Sequence, residues 1–172
     1  MSSKSNASTS TSIDKIHANP ESLVDVLEQH RAQGKKIVLG NGWFDLIHVG
    51  HVRYLEAAKA LGDVLVVAVN TENSIRPGRE VPINSFEERI EVIAALDAVD
   101  YAVPLDAILP NDLIELIRPD IQAKGTDYTL DQMPEREVVE RSGGRIEFVG
   151  DDKTHSSTEL RRKLRERNSN KN

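Results

Sequence analysis

Residues 64–69, Val-Leu-Val-Val-Ala-Val, are apolar at every position. A strand with one wet face alternates polar and apolar side chains. An unbroken apolar run suits a strand covered on both faces, as in a parallel sheet between two layers of helix. Four further short runs, 36–39, 101–103, 121–123 and 146–149, are also aliphatic or β-branched. A helical pattern follows each of the five, at about 49–61, 85–96, 111–117, 135–142 and 157–167. Another helix precedes them: Asn19 caps it, Pro20 takes the first helical position, Leu23, Val26 and Leu27 recur at helical spacing, and Gly34 closes it. Regular alternation with short loops predicts an α/β fold, a doubly wound parallel five-stranded sheet with right-handed crossovers. Ligands of such sheets bind beyond the carboxyl ends of the strands, here at 40–48, 70–79, 124–128 and 150–155.

The 172 residues suffice for one domain, expected over 19–167. The Ser/Thr-rich stretch 1–18 and the polar end 168–172 have little to bury and are expected to be disordered tails. A formal net charge of −6 argues against a nucleic-acid surface. The absence of cysteine excludes disulfides, thiolate metal sites and a cysteine nucleophile. No apolar stretch approaches the roughly 20 residues that span a membrane. The first 12 residues carry no apolar segment of the secretory kind. A cytoplasmic location is expected. No internal repeat is found.

The most chemically loaded string is His48-Val49-Gly50-His51, at the mouth of the second helix. A helix N-terminus offers unpaired N–H groups and partial positive charge. Gly50 allows close backbone approach, and two imidazoles three residues apart can both donate to phosphate oxygens. The preceding Gly40-Asn41-Gly42-Trp43-Phe44-Asp45 lacks the third glycine of a dinucleotide fingerprint, and Asp45 in its place would repel a pyrophosphate. Asp45 is expected to orient its loop by hydrogen-bonding backbone. Ser156-Ser157-Thr158 opens the last helix, with Arg161 and Arg162 a turn later. That is either a capped, solvated helix or a second phosphate-binding helix start. A zinc reading of the His pair stays open, although no third ligand stands out.

Asn41 to His51 resembles the [TN]-G-x-F-D-x-x-H-x-G-H signature of the nucleotidyltransferase superfamily of cytidylyl- and adenylyltransferases. Ser156-Ser157-Thr158-x-Leu160-Arg161 resembles its second signature, with His155 where isoleucine is usual. Between them the chain is most similar to the adenylyltransferase domain of the ADP-heptose synthases, which make an activated sugar for lipopolysaccharide. The matching stretches are Val67-Ala68-Val69-Asn70-Thr71-Glu72 with Ser74, Glu88-Arg89, residues 95–101, Pro119-Asp120, and Lys124-Gly125 with Asp127-Tyr128. Glycerol-3-phosphate cytidylyltransferases carry arginine where this chain has Asp97, and the heptose enzymes carry an acid there. The loop 74–84 departs from the heptose pattern, with Arg76-Pro77-Gly78-Arg79 in place of a lysine-bearing element. The usual fused sugar-kinase domain has no counterpart here, so a stand-alone version is expected.

The resemblance implies a Rossmann-like nucleotidyltransferase fold and attack of a sugar 1-phosphate on the α-phosphorus of ATP, with Mg²⁺ held mostly by phosphate oxygens and water. It implies His48, His51 and Lys124 as catalytic. Asn41, Gly42, Phe44, Gly50, Ser156, Ser157, Thr158 and Arg161 would bind nucleotide. Asn70, Arg76, Arg79, Arg89 and Asp127 would bind the acceptor, with no protein ligand to metal. It also suggests a homodimer, for which 99–103 is a candidate contact. Other acceptors or nucleotides stay open, such as glycerol phosphate with CTP or a flavin with ATP, as does a nucleotide-binding module without turnover. His17 and His30 are read as non-catalytic, and Trp43 as core-edge cover. For Arg89 an ion pair with a neighbouring carboxylate is the competing reading.

Overall fold

The computed structural model describes residues 11–76, 78, 80–126, 129–150 and 157–169, with the backbone alone at 132, 157, 158, 168 and 169. Helix α1 (Glu21–Ala32) leads into β1 (Ile37–Gly42), and α2 (Val49–Lys59) into β2 (Val64–Asn70). Then come α3 (Phe86–Ala94), β3 (Tyr101–Leu105), α4 (Asn111–Ile117), β4 (Ile121–Gly125), α5 (Arg136–Arg141), β5 (Arg145–Val149) and α6 (Ser157–Ser169). The strands form one sheet in the order β3-β2-β1-β4-β5, every pairing parallel.

The apolar run of β2 is explained by what lies on each face. Val64, Val66 and Ala68 pack with Leu23 and Leu27 of α1, Leu113, Ile114 and Ile117 of α4, and Val138 and Val139 of α5. Leu65, Val67 and Val69 pack with Leu55 and Ala58 of α2 and Ile90, Ile93 and Ala94 of α3. Alternate side chains of a strand point to opposite faces, so a strand between two helical layers has no position left for a polar side chain.

The direction of winding reverses at β1. Its register with β2 runs without a break from Ile37↔Val64 to Gly42↔Val69. With β4 it holds only Val38↔Ile121 and Leu39↔Gln122. The next pair in line is Gly40 and Ala123, and there Tyr54 intervenes. Its hydroxyl donates to the Ala123 carbonyl at 3.0 Å. A Cβ on Gly40 would lie 2.9 Å from the same hydroxyl oxygen. Beyond that point the carboxyl ends of β1 and β4 part, which is the crevice expected at a topological switch.

Several boundaries differ from the sequence pattern. β1 continues through Gly40-Asn41-Gly42, because the ladder to β2 outlasts the aliphatic run. β3 runs on through Pro104, tolerated because β3 is an edge strand and one flank needs no donor. The amino-terminal tail is shorter than expected. Ser12–Lys15 form a 3-10 turn, Ile16 bridges Ala102, and His17 N donates to Ala102 O at 2.9 Å. Lys15 Nζ donates to Val99 O at 2.8 Å. Residues 1–10 lie outside the described ones. At the other end α6 continues to Ser169, two residues into the expected tail.

The same docking corrects the expected dimer contact at 99–103. Val99, Ala102 and Val103 are buried within this chain, and the outer edge of β3 at Ala102 is taken by Ile16 and His17. Among the described residues no helix is long and apolar enough to cross a membrane.

The Tyr54 wedge makes a prediction. Gly40→Ala is expected to cost about 1–3 kcal/mol by overpacking against the hydroxyl. Part of that cost should return in the Gly40→Ala/Tyr54→Phe double variant. Chemical denaturation of the four proteins of this cycle measures it, and equal losses in both backgrounds would contradict the wedge.

Candidate active site

His48 stands at the N-cap of α2 in extended backbone, and its Nδ1 accepts from Gly50 N at 3.1 Å. With Nδ1 accepting from the helix amide, Nε2 is the ring nitrogen left to act as donor. His51, one turn on, stacks on it with ring centroids 3.9 Å apart and planes inclined by 22°. Burial, with the His48 ring as second cause, lowers the His51 pKa to about 4. His51 is therefore neutral at physiological pH. Its Nδ1 is buried with no hydrogen-bond partner among the described residues. Stacked rings direct their lone pairs side by side, not toward one point, and no three His, Asp or Glu converge among the described residues. This disfavours the zinc reading.

Phe44 holds His51 from behind. It is buried, and its ring meets His51 edge-on at 5.3 Å and 66°. Its φ of 48° lies in the left-handed region, a strained conformation for a bulky residue. Gly42 is required beside it, since a Cβ there would sit 3.0 Å from Phe44 Cζ. Phe44 thus buttresses an imidazole from within the core; its expected contact with nucleotide is corrected to this indirect one.

Asp45 secures the surrounding loops. Its Oδ1 accepts from Ile83 N at 2.8 Å and Asn84 N at 2.9 Å, while Oδ2 takes the Arg161 guanidinium. Arg161 also binds Glu80 at 2.8 Å, and Arg165 of the next turn binds Glu80 at 2.5 Å. Hydrogen bonds from Arg165 first, and from Arg161, hold the Glu80 carboxyl below its ordinary pKa. The second turn of α6 is therefore fastened through Arg161 to the loop that presents the His pair. Ser156 lies outside the described residues, and Ser157 and Thr158 are described as backbone opening α6.

Arg89 does not line the cleft. Its side chain is fully buried and donates to Asn84 O at 3.1 Å, Trp43 O at 2.8 Å and Asn70 O at 2.6 Å, and to Glu72 at 2.7 Å. With its nitrogens bound to protein on all sides, it ties loops together, which corrects its assignment to the acceptor. Asn70 is also turned inward, to Ser74 Oγ at 3.1 Å. Arg76 is exposed on the following loop, and Arg79 and Asp127 lie outside the described residues. Asp97, whose type favours a sugar phosphate, is exposed between α3 and β3, at the edge of the sheet away from the crevice. Its bearing on the acceptor comes from resemblance and not from contact.

At the β1–β4 opening, Asn41 Oδ1 accepts from Lys124 Nζ at 2.8 Å and from Gln122 Nε2 at 3.1 Å. Lys124 forms an ion pair with Glu135, and both side chains are almost wholly withdrawn from water. Nothing in the sequence marks Glu135, Gln122 or Tyr54 as part of a site. Their partners lie on other elements, so only the folded chain reveals them. His30 sits at the other edge of the sheet, with Nε2 2.9 Å from Tyr101 Oη. His17 meets the same tyrosine edge-on, which accounts for both histidines structurally.

Residues 39–163 match the family model described as cytidylyltransferase-like. The bifunctional protein HldE of Geobacter sulfurreducens is 45% identical over 148 residues, 85% of this chain and 30% of that protein. HldE of Syntrophotalea carbinolica is 48% identical over 131 residues, 75% of this chain and 27% of that protein. The chain thus spans under a third of the length of these curated relatives. The crystal structure of a lipopolysaccharide core biosynthesis protein from Thermoplasma volcanium matches with a TM-score of 0.59 at 30% identity, over 69% of this chain and all of that one.

The buried imidazole fixes a pH dependence. Because His51 binds its proton near pH 4 when folded and near 6.5 when unfolded, its contribution to stability is complete above pH 6.5. Between those values the unfolded chain holds more protons, so stability falls as pH drops from 6.5 toward 4. NMR titration is expected to place the His51 midpoint near 4. A midpoint at or above 6 would contradict the packing described.

Proposed function

Because the chain belongs to the cytidylyltransferase-like family, we propose that it is an adenylyltransferase moving AMP from ATP to a sugar 1-phosphate, heptose 1-phosphate foremost, with release of pyrophosphate. The supporting observation is the stacked His48–His51 pair at the start of α2, on the crevice edge that also carries Lys124 and Asn41. The HldE relatives favour heptose over other acceptors.

The chemistry asks little covalent work of the protein. A phosphate monoester has its second pKa near about 6 and is largely ionised at neutral pH, so the nucleophile needs no general base. Catalysis then reduces to alignment and to stabilising charge that grows on the bridging oxygen and the leaving pyrophosphate. His48 offers Nε2–H, since its Nδ1 accepts from Gly50 N. Neutral His51 offers a second donor without the cost of burying a cation. The amides of the first turn of α2 add dipole and N–H groups. Lys124 supplies positive charge across the crevice. Arg161, with Ser156, Ser157 and Thr158, is proposed for the outer phosphates, Arg161 exchanging part of its hold on Glu80 for the nucleotide.

Mg²⁺ is proposed as part of the nucleotide substrate. Phosphate oxygens and water would supply most of its shell. When bound it would neutralise charge on the triphosphate. A homodimer is retained as a proposal through a surface other than 99–103, to be tested by light scattering on eluted protein.

Pyrophosphate release over a matrix of four nucleoside triphosphates and several phosphorylated acceptors tests the reading. The expected best pair is ATP with heptose 1-phosphate. A preference for CTP with glycerol phosphate would move the chain to another acceptor class, and tight ATP binding without release for any acceptor would contradict transfer. His48→Ala and His51→Ala are each expected to lose about 10²–10³-fold in kcat, the usual cost of a lost transition-state donor. Turnover within threefold of the parent would remove the assigned role.

A further inference from the structure

We propose that Glu135 is a positioning residue of the transfer site: it holds the Lys124 ammonium against Asn41 at the β1–β4 opening and tempers the charge offered to phosphates. The inference rests on the transferase reading above and adds to it a residue that no motif marks.

Glu135 immediately precedes α5, where an acidic side chain commonly turns back to cap its own helix. It makes no such bond. Its carboxylate instead crosses to β4 and pairs with Lys124, with 3% of the Glu135 side chain and 11% of the Lys124 side chain exposed. A buried carboxylate is held by its partner or not at all. The pair is part of a longer chain of contacts. Lys124 also donates to Asn41 Oδ1 at 2.8 Å, and Gln122 Nε2 reaches the same oxygen at 3.1 Å. Gln122 is fully buried, so it holds Asn41 from a rigid base.

A lysine alone is a mobile point charge on four rotatable bonds with three donors. Glu135 and Asn41 together occupy two of those donors, fix the ammonium at the mouth of the crevice and leave the third for a ligand oxygen. They also reduce its attraction for any anion. An unpaired lysine there would bind a resting triphosphate more tightly without being better placed for the transition state. Only interactions stronger in the transition state accelerate the reaction. Glu135 thus exchanges ground-state affinity for alignment. A purely structural ion pair would make no such exchange.

The experiment uses the whole chain as the parent, Glu135→Gln, Lys124→Gln and the double variant. Gln keeps the size of Glu135 and an oxygen facing Lys124 while removing the charge. Calorimetry with inorganic tripolyphosphate is expected to show binding about 3–10-fold tighter in Glu135→Gln, from removal of one nearby negative charge. Pyrophosphate release is expected to fall about 10–100-fold in kcat, the scale of a misplaced catalytic group. In the Lys124→Gln background, Glu135→Gln should leave kcat unchanged, because its effect on alignment runs through the ammonium. The Lys124 ammonium NMR signal, sharp in the parent through its two anchors, should broaden in Glu135→Gln.

Unchanged affinity and kcat in Glu135→Gln would overturn the proposal. So would an equal loss of kcat with Lys124 absent, since Glu135 would then not act through the ammonium. Tripolyphosphate binding and the ammonium signal need no turnover. A parent that releases no pyrophosphate would therefore defeat the transferase reading while these measurements still decide the role of Glu135. If Glu135→Gln does not fold, Glu135→Asp replaces it, keeping the charge but drawing it back from Lys124; the ammonium signal is again expected to broaden and kcat to fall, and unchanged values in that variant would overturn the proposal.

Discussion

The parting of β1 from β4 is the constraint on which the rest of the molecule depends. Two registered pairs join these strands at their amino ends, and then the Tyr54 hydroxyl takes the Ala123 carbonyl that a third pair would have used. A continuous ladder would have closed the sheet with backbone. Withheld pairing leaves a gap whose walls are the last residues of β1 on one side and of β4 on the other. The polar side chains there, Asn41, Gln122 and Lys124, satisfy one another across it. The crevice is thus built from missing hydrogen bonds that neighbouring groups make good, consistent with the rule that buried polar groups find partners.

Charge around the crevice follows a consistent pattern. Lys124 is paired with Glu135, and Arg161 with Asp45 and Glu80. The two imidazoles stack at the start of α2, and burial keeps His51 neutral. The cations beside the crevice are held in fixed positions by carboxylates and do not form a bare basic pocket. In the transfer proposed above, such paired charges would need little rearrangement as charge moves along a phosphate chain. They also suit a protein whose formal net charge is −6.

Much of this was legible in the chain before folding, for reasons that differ by element. The unbroken apolar stretch of β2 could only be a strand between two layers, and its residues do divide between two cores. The helix starting at Val49 was placed by its helical pattern over 49–61, a local signal, and the structure adds His48 as its cap. Asp45 was read as a loop-orienting carboxylate, and it does accept two backbone amides. Readings divided where the partner was distant in sequence. For Arg89 the ion-pair alternative holds and the acceptor assignment does not, since it meets Glu72 and three carbonyls beneath the loops. Residues 11–17 look like polar tail, yet they dock because β3 leaves an open edge for Ile16 and His17.

Periodicity and caps were enough to establish an α/β sheet and where its helices begin, because each rests on contacts within a few residues. Folding alone decided which charges meet. The Lys124–Glu135 couple joins β4 to the start of α5, the Arg161–Asp45 couple spans more than a hundred residues, and the Tyr54 wedge joins α2 to two strands at once. Such pairings leave no trace in local pattern, since a surface ion pair and a buried one are spelled with the same letters. Their burial, and hence their chemistry, follows from where the sheet opens.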